Sequence, residues 1–142
     1  MTSPFLAAAI QMVSVPSVEE NLRVAGELVA DAAARGAKLA VLPEIFAYMG
    51  LKDTDKIAIR EPDGRGPIQQ FLADTAQRHR IWLVGGSVPL EASVPDKVRN
   101  TLLVYDDKGR RAARYDKIHL FGFENGTERY LESATIEAGD RP

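Results

Sequence analysis

Residues 5–42 read strand, helix, strand, and that order leaves few folds open. Phe5-Leu-Ala-Ala-Ala-Ile-Gln-Met-Val13 is a short, nearly continuous apolar run, the pattern of a strand buried on both faces. Ser17-Val-Glu-Glu20 follows in capping-box form, a hydroxyl at the N-cap with a carboxylate three residues later. Behind it Val18, Leu22, Ala25, Val29 and Ala32 recur at helical spacing and make one apolar stripe. Gly36 is a natural stop, because glycine takes the left-handed conformation past a helix end at little cost. Leu39-Ala-Val-Leu42 is a second short buried strand, closed by Pro43. A strand–helix–strand unit of this length implies a crossover and parallel pairing.

The remainder extends this pattern. Residues 45–66 are irregular and end in the loop Pro62-Asp-Gly-Arg-Gly-Pro67. Pro67 suits the first turn of a second amphipathic helix carrying Ile68, Phe71, Leu72 and Ala76 and ending near Arg80. Residues 81–84 are a third buried strand running into Gly85-Gly86, followed by a loop with Pro89 and Pro95. Residues 101–105 and 111–115 flank Asp106-Asp-Lys-Gly109 as a β-hairpin. Residues 117–132 are expected to form a loop with one helical turn. The class is α/β. It reads as unfinished: Gly139-Asp-Arg-Pro142 has the composition of a turn that introduces another element, and no helices remain to cover the last strands. The apolar edges of strands 81–84 and 101–105 are therefore expected to be exposed.

Composition narrows the chemistry. A chain of 142 residues with 45% hydrophobic residues is long enough for one domain, and buries roughly two thirds of its unfolded surface without staples. Cysteine is absent, which removes disulfides, cysteine-ligated zinc and a thiol nucleophile from within the chain. A net charge of −2 argues against a nucleic-acid platform. No apolar run reaches the ~18 residues of a membrane span, and the first apolar run lacks the basic leader of a signal peptide. A soluble, cytoplasmic protein with no nucleic-acid or membrane partner is expected.

Glu44 stands at the carboxyl end of a parallel strand, where α/β folds gather ligands. Flanked by Ile45, Phe46 and Tyr48, it is either a desolvated general base or an ordinary acid at a helix start. Lys117 follows the second hairpin strand: it is either a half-buried cationic clamp paired with a carboxylate or a surface lysine with a snorkelling stem. His119 is expected to be a hydrogen-bonded structural histidine, since His79 is too far along the chain to make a metal signature with it. Lys108, Arg110, Arg111 and Arg114 read as a solvated hairpin. Gly85-Gly86 fits neither a Walker pattern nor GxGxxG, so nucleotide binding is excluded.

Taken together, Ala9-Ile-Gln-Met12, Asn21-Leu22, Gly36-Ala-Lys-Leu-Ala-Val-Leu-Pro-Glu44, Asn100-Thr-Leu-Leu-Val-Tyr105 and Tyr115-Asp-Lys-Ile-His-Leu-Phe121 resemble the nitrilase, or carbon–nitrogen hydrolase, superfamily. The last motif, followed by Glu132-Ser133, is most similar to the omega-amidase and deaminated-glutathione amidase branch. The resemblance implies an α-β-β-α sandwich that pairs into dimers, a Glu-Lys-Cys triad and no cofactor or metal. It places the glutamate on Glu44 and the lysine on Lys117. A second glutamate that steadies the lysine falls most naturally on Glu132, with Glu124 as the weaker candidate. The nucleophilic cysteine of the family lies beyond residue 142. The chain accordingly resembles the amino-terminal part of one such domain, and alone it is expected to be inactive. Its expected partners are a small amide, the missing carboxyl-terminal half and further copies of itself. The alternative is a non-catalytic assembly half that binds a separate partner half or itself.

Overall fold

The computed structural model describes residues 4–142. The first crossover forms as the pattern requires: β1 (Ala7–Ala9), α1 (Val18–Ala34) and β2 (Leu39–Val41), with β1 and β2 parallel. Ser17 caps α1, its hydroxyl accepting the Glu20 backbone N–H at 3.3 Å. Only half of the capping box is made, because the Glu20 carboxylate turns to Arg23 at 2.7 Å. Ala25, Val29 and Ala32 are buried, and Gly36 ends the helix at φ 92°. A short α2 (Asp55–Ala58) interrupts the irregular segment and precedes α3 (Pro67–His79), which opens on its proline. Strand β3 (Trp82–Val84) then adds parallel to β2.

Beyond β3 the chain reverses. Strands β4 (Val88–Glu91), β5 (Val98–Tyr105) and β6 (Arg111–Asp116) complete a six-stranded mixed sheet. β5 is antiparallel to β3 and β4 along one side and to β6 along the other. A separate hairpin, β7 (Gly122–Glu124) and β8 (Arg129–Leu131), leads into a 3-10 turn at Glu132–Ala134. Among the described residues no helix is long and apolar enough to cross a membrane.

Four sequence expectations are corrected. Segment 86–97 is not all loop: β4 forms in spite of Pro89, because the Pro89 backbone faces away from β5 and its carbonyl accepts the Glu61 N–H at 2.9 Å. Segment 117–132 is mostly the β7–β8 hairpin, and the expected helical turn comes just after it. Strands 81–84 and 101–105 are not edges, since β3 lies between β2 and β5, and β5 is flanked on both sides. Finally, β1, β2 and β3 are buried on one face only. α1 and α3 pack over Ala40, Leu83 and Leu103, while Val41 and Trp82 on the opposite face remain 38% and 44% exposed. An apolar run reports affinity for two covering layers, and these helices supply one.

Gly85-Gly86 has a steric purpose. Gly86 adopts φ 56°, and a Cβ there would stand 2.0 Å from the Pro43 carbonyl oxygen. The β3–β4 bend thereby closes directly on the segment that leads to Glu44. Gly86→Ala is expected to lower stability by at least about 2 kcal/mol, combining backbone strain with a clash against main chain. Urea unfolding checks this, and an unchanged midpoint contradicts the close-approach role.

Candidate active site

β2 is followed by Leu42-Pro43, and Glu44 projects from the turn that comes next. That turn is strained. Ile45, a β-branched residue, has φ 59°, a region such side chains rarely visit. Three side chains hold it: Ser87 Oγ accepts the Ile45 N–H at 2.7 Å, Ser14 donates to the Phe46 carbonyl at 3.0 Å, and Asn21 Nδ2 donates to the Ala47 carbonyl at 3.0 Å. Phe46 and Ala47 are buried beneath. Strain of this kind persists only where surrounding structure over-determines it.

Lys117 leaves the end of β6 and reaches the same place. Its Nζ is 3.0 Å from Glu44 Oε1 and 3.1 Å from Glu132 Oε2. Its backbone is held as well, the N–H donating to the Asn100 carbonyl and the carbonyl accepting from Gly139, both at 2.9 Å. Glu132 opens the 3-10 turn with its side chain only 9% exposed. Its Oε2 also accepts the Phe121 N–H at 2.7 Å. The turn is moored through Thr135, whose hydroxyl donates to Asp53 Oδ2 at 2.5 Å, while Lys56 and Tyr130 converge on Asp53 Oδ1. One ammonium thus sits between two carboxylates carried by separate elements.

The charges bias one another. Burial works to raise the Glu44 carboxyl, but hydrogen bonds from Lys117 and Asn100 and the lysine charge outweigh it and hold the group below the ordinary glutamate range. Burial works to lower the Lys117 ammonium, but its bonds to Glu44 and Glu132 and their charges keep it above the ordinary lysine value. At neutral pH Glu44 is therefore a carboxylate and Lys117 an ammonium. Lys117 cannot serve there as a base. It can only present positive charge. Glu44, with its side chain 53% exposed, faces a depression walled by Leu42, Val84, Leu102 and Tyr115 on the uncovered side of the sheet.

The structure brings together Glu44, Lys117 and Glu132. It does not bring Glu124, which lies on β7 and pairs loosely with Arg129 at 3.9 Å. His119 is exposed and makes no hydrogen bond to a described residue, contrary to the expected structural role. The segment after Lys117 has left the sheet, so no layer faces that ring. Among the described residues no group of three His, Asp or Glu side chains is arranged to hold a metal ion. Three residues at the site were missed: Asn100, Ser87 and Asp53. The available signal was asparagine in mid-strand at position 100, where β-propensity is poor.

The carbon–nitrogen hydrolase family model matches residues 6–142. Deaminated glutathione amidase of Synechocystis sp. (strain PCC 6803 / GT-S) is 38% identical over 140 residues, covering 97% of this chain and 51% of that protein. Omega-amidase NIT2 of Homo sapiens is 36% identical over 142 residues, covering 99% of this chain and 49% of that protein. The crystal structure of Saccharomyces cerevisiae Nit3, a member of branch 10 of the nitrilase superfamily, superposes with a TM-score of 0.75 at 28% identity, covering 90% of this chain and 45% of that one. The chain spans about half the length of the curated relatives it matches.

Proposed function

Since the chain belongs to the carbon–nitrogen hydrolase family and has the nitrilase-type fold, we propose that it is the amino-terminal part of a single amidase domain that cleaves the C–N bond of a small, non-peptide amide. The observation that carries this reading is Lys117 held between Glu44 and Glu132 at the strand ends. The relatives named deaminated glutathione amidase and omega-amidase support an amide substrate. The second sheet and helix layer of the sandwich would lie over the open face that bears Val41 and Trp82, and would bring the nucleophilic cysteine.

Each residue then has one task. A neutral thiol is a poor nucleophile, so Glu44 accepts its proton as sulfur attacks the amide carbonyl carbon. The carbonyl π electrons move to oxygen, and the Lys117 ammonium stabilises the resulting oxyanion. Glu132 keeps that ammonium charged and aimed. As the oxyanion collapses, the C–N bond breaks and Glu44 returns its proton to the departing nitrogen, leaving a thioester. Water attacks the thioester while Glu44 takes up a proton again, which it passes to the leaving thiolate. Covering the pocket strips water from Glu44 and raises its basicity toward the working pH, where general bases are most effective.

The coding sequence directly after residue 142 provides the first test. An in-frame strand of the Gly-Leu-x-x-Cys-Tyr kind supports the enzyme, whereas a stop codon favours the non-catalytic assembly half. In a protein carrying that strand, Glu44→Gln is expected to reduce kcat for a primary amide by at least about a thousandfold. Retention of wild-type turnover would remove Glu44 from the mechanism.

A further inference from the structure

We infer that Asn100 is a positioning residue for Glu44: with Lys117 it occupies Oε1 and so leaves Oε2 as the oxygen that exchanges the proton. This inference rests on the amidase reading for its meaning, and on the following geometry for its substance. Asn100 Nδ2 donates to Glu44 Oε1 at 2.7 Å, the same oxygen that accepts Lys117 Nζ at 3.0 Å. No described residue donates to Oε2, and the side chain is half open to the pocket.

Two donors are needed for a physical reason. The terminal torsion of a glutamate is soft and roughly two-fold, and a lysine ammonium is a mobile point charge with rotatable donors. Lys117 alone would hold either oxygen equally well as the carboxylate turned over. Asn100 approaches from a strand paired on both sides and is itself almost fully buried. Its N–H has a fixed origin and direction. It is also neutral, so it orients the carboxylate while depressing its basicity less than a second cation would.

Asn100 also links base to clamp. Its side chain holds Glu44, and its main-chain carbonyl accepts the Lys117 N–H. One strand position thereby sets the distance between the proton acceptor and the oxyanion clamp. Substitution at Asn100 removes the first bond and retains the second, which separates orientation of the base from support of the lysine.

The test is a pH titration of the Glu44 side-chain carboxyl carbon by NMR, on the 142-residue chain labelled at glutamate, with Asn100→Leu and Asn100→Ala beside the wild type. Leucine matches asparagine in volume without its donor, and alanine cannot clash, so at least one variant reports on a folded chain. The Lys117 amide resonance confirms that the main-chain bond survives. The expected result is an upward shift of the Glu44 midpoint toward that of an ordinary glutamate in the folded variants. An unshifted midpoint in a folded variant overturns the proposal and leaves Asn100 a structural residue only. This titration requires no turnover, so its failure is distinct from failure of the amidase reading, which the Glu44→Gln kinetics decide.

Discussion

No ammonia above a buffer blank is expected when the purified 142-residue chain is incubated with a glutaramate-type amide. The proposed base and clamp, Glu44 and Lys117, are already in contact at 3.0 Å, but the chain has no cysteine. Losing the nucleophile of such a unit forfeits on the order of 10⁶ in rate in the nearest worked case, a serine protease. Ser87 is an aliphatic hydroxyl that borders the same depression. Its Oγ, however, is engaged as the acceptor of the Ile45 N–H, and it donates to no carboxylate or imidazole among the described residues. Turnover that depends on Ser87, or that persists in Glu44→Gln, would contradict the mechanism.

Light scattering is expected to find the chain as a species heavier than 15.6 kDa, and the chain is expected to bind a hydrophobic dye when dilute. The reason is the uncovered face of the six-stranded sheet. Val41, Trp82 and Tyr115 are each more than a third exposed there, and they line one continuous side of the sheet by register. Burial contributes about 25 cal/mol per Å² of apolar surface, and contiguous exposed patches of this kind mark association sites. Strand edges contribute less, because the edge strand β6 (Arg111-Ala-Ala-Arg-Tyr-Asp116) carries three charged residues, and charge on an edge strand discourages further pairing. A stable 15.6 kDa species that binds no dye would show that the chain closes its own core, and the half-sandwich reading would fail with it.

Local physics made much of this molecule legible beforehand. The apolar stripe and hydroxyl cap of α1, the proline at the start of α3 and the turn chemistry at Asp106 are properties of neighbouring residues, and each element forms where they require. Lys108 and Arg110 N–H groups bond Asp106 as that turn demands. Glu44 could be singled out because a carboxylate after a parallel strand has a predictable place. Lys117 rested on the family resemblance, since a lysine at a strand end is ambiguous by itself. Proline and glycine misled: Pro89 suggested loop, although an edge strand tolerates it, and Gly122 and Gly126 suggested a structureless segment where a hairpin forms.

What tertiary structure decided is everything that depends on residues far apart in the chain. Sequence patterns specify which side chains seek burial, but not how many layers will cover them, so β1 to β3 could be recognised as strands while their open face could not. The family resemblance ranked Glu132 above Glu124, but no local pattern supplies the physical reason. Glu132, not Glu124, meets Lys117 because Asp53 and Thr135 moor its turn from a segment far upstream. Asn100 opens a segment that carried the family resemblance, but nothing in that segment marks its amide as part of the site. Its role arises only when β5 brings its amide to within 2.7 Å of Glu44, since a hydrogen bond is defined by distance and direction, and both are set by the folded sheet.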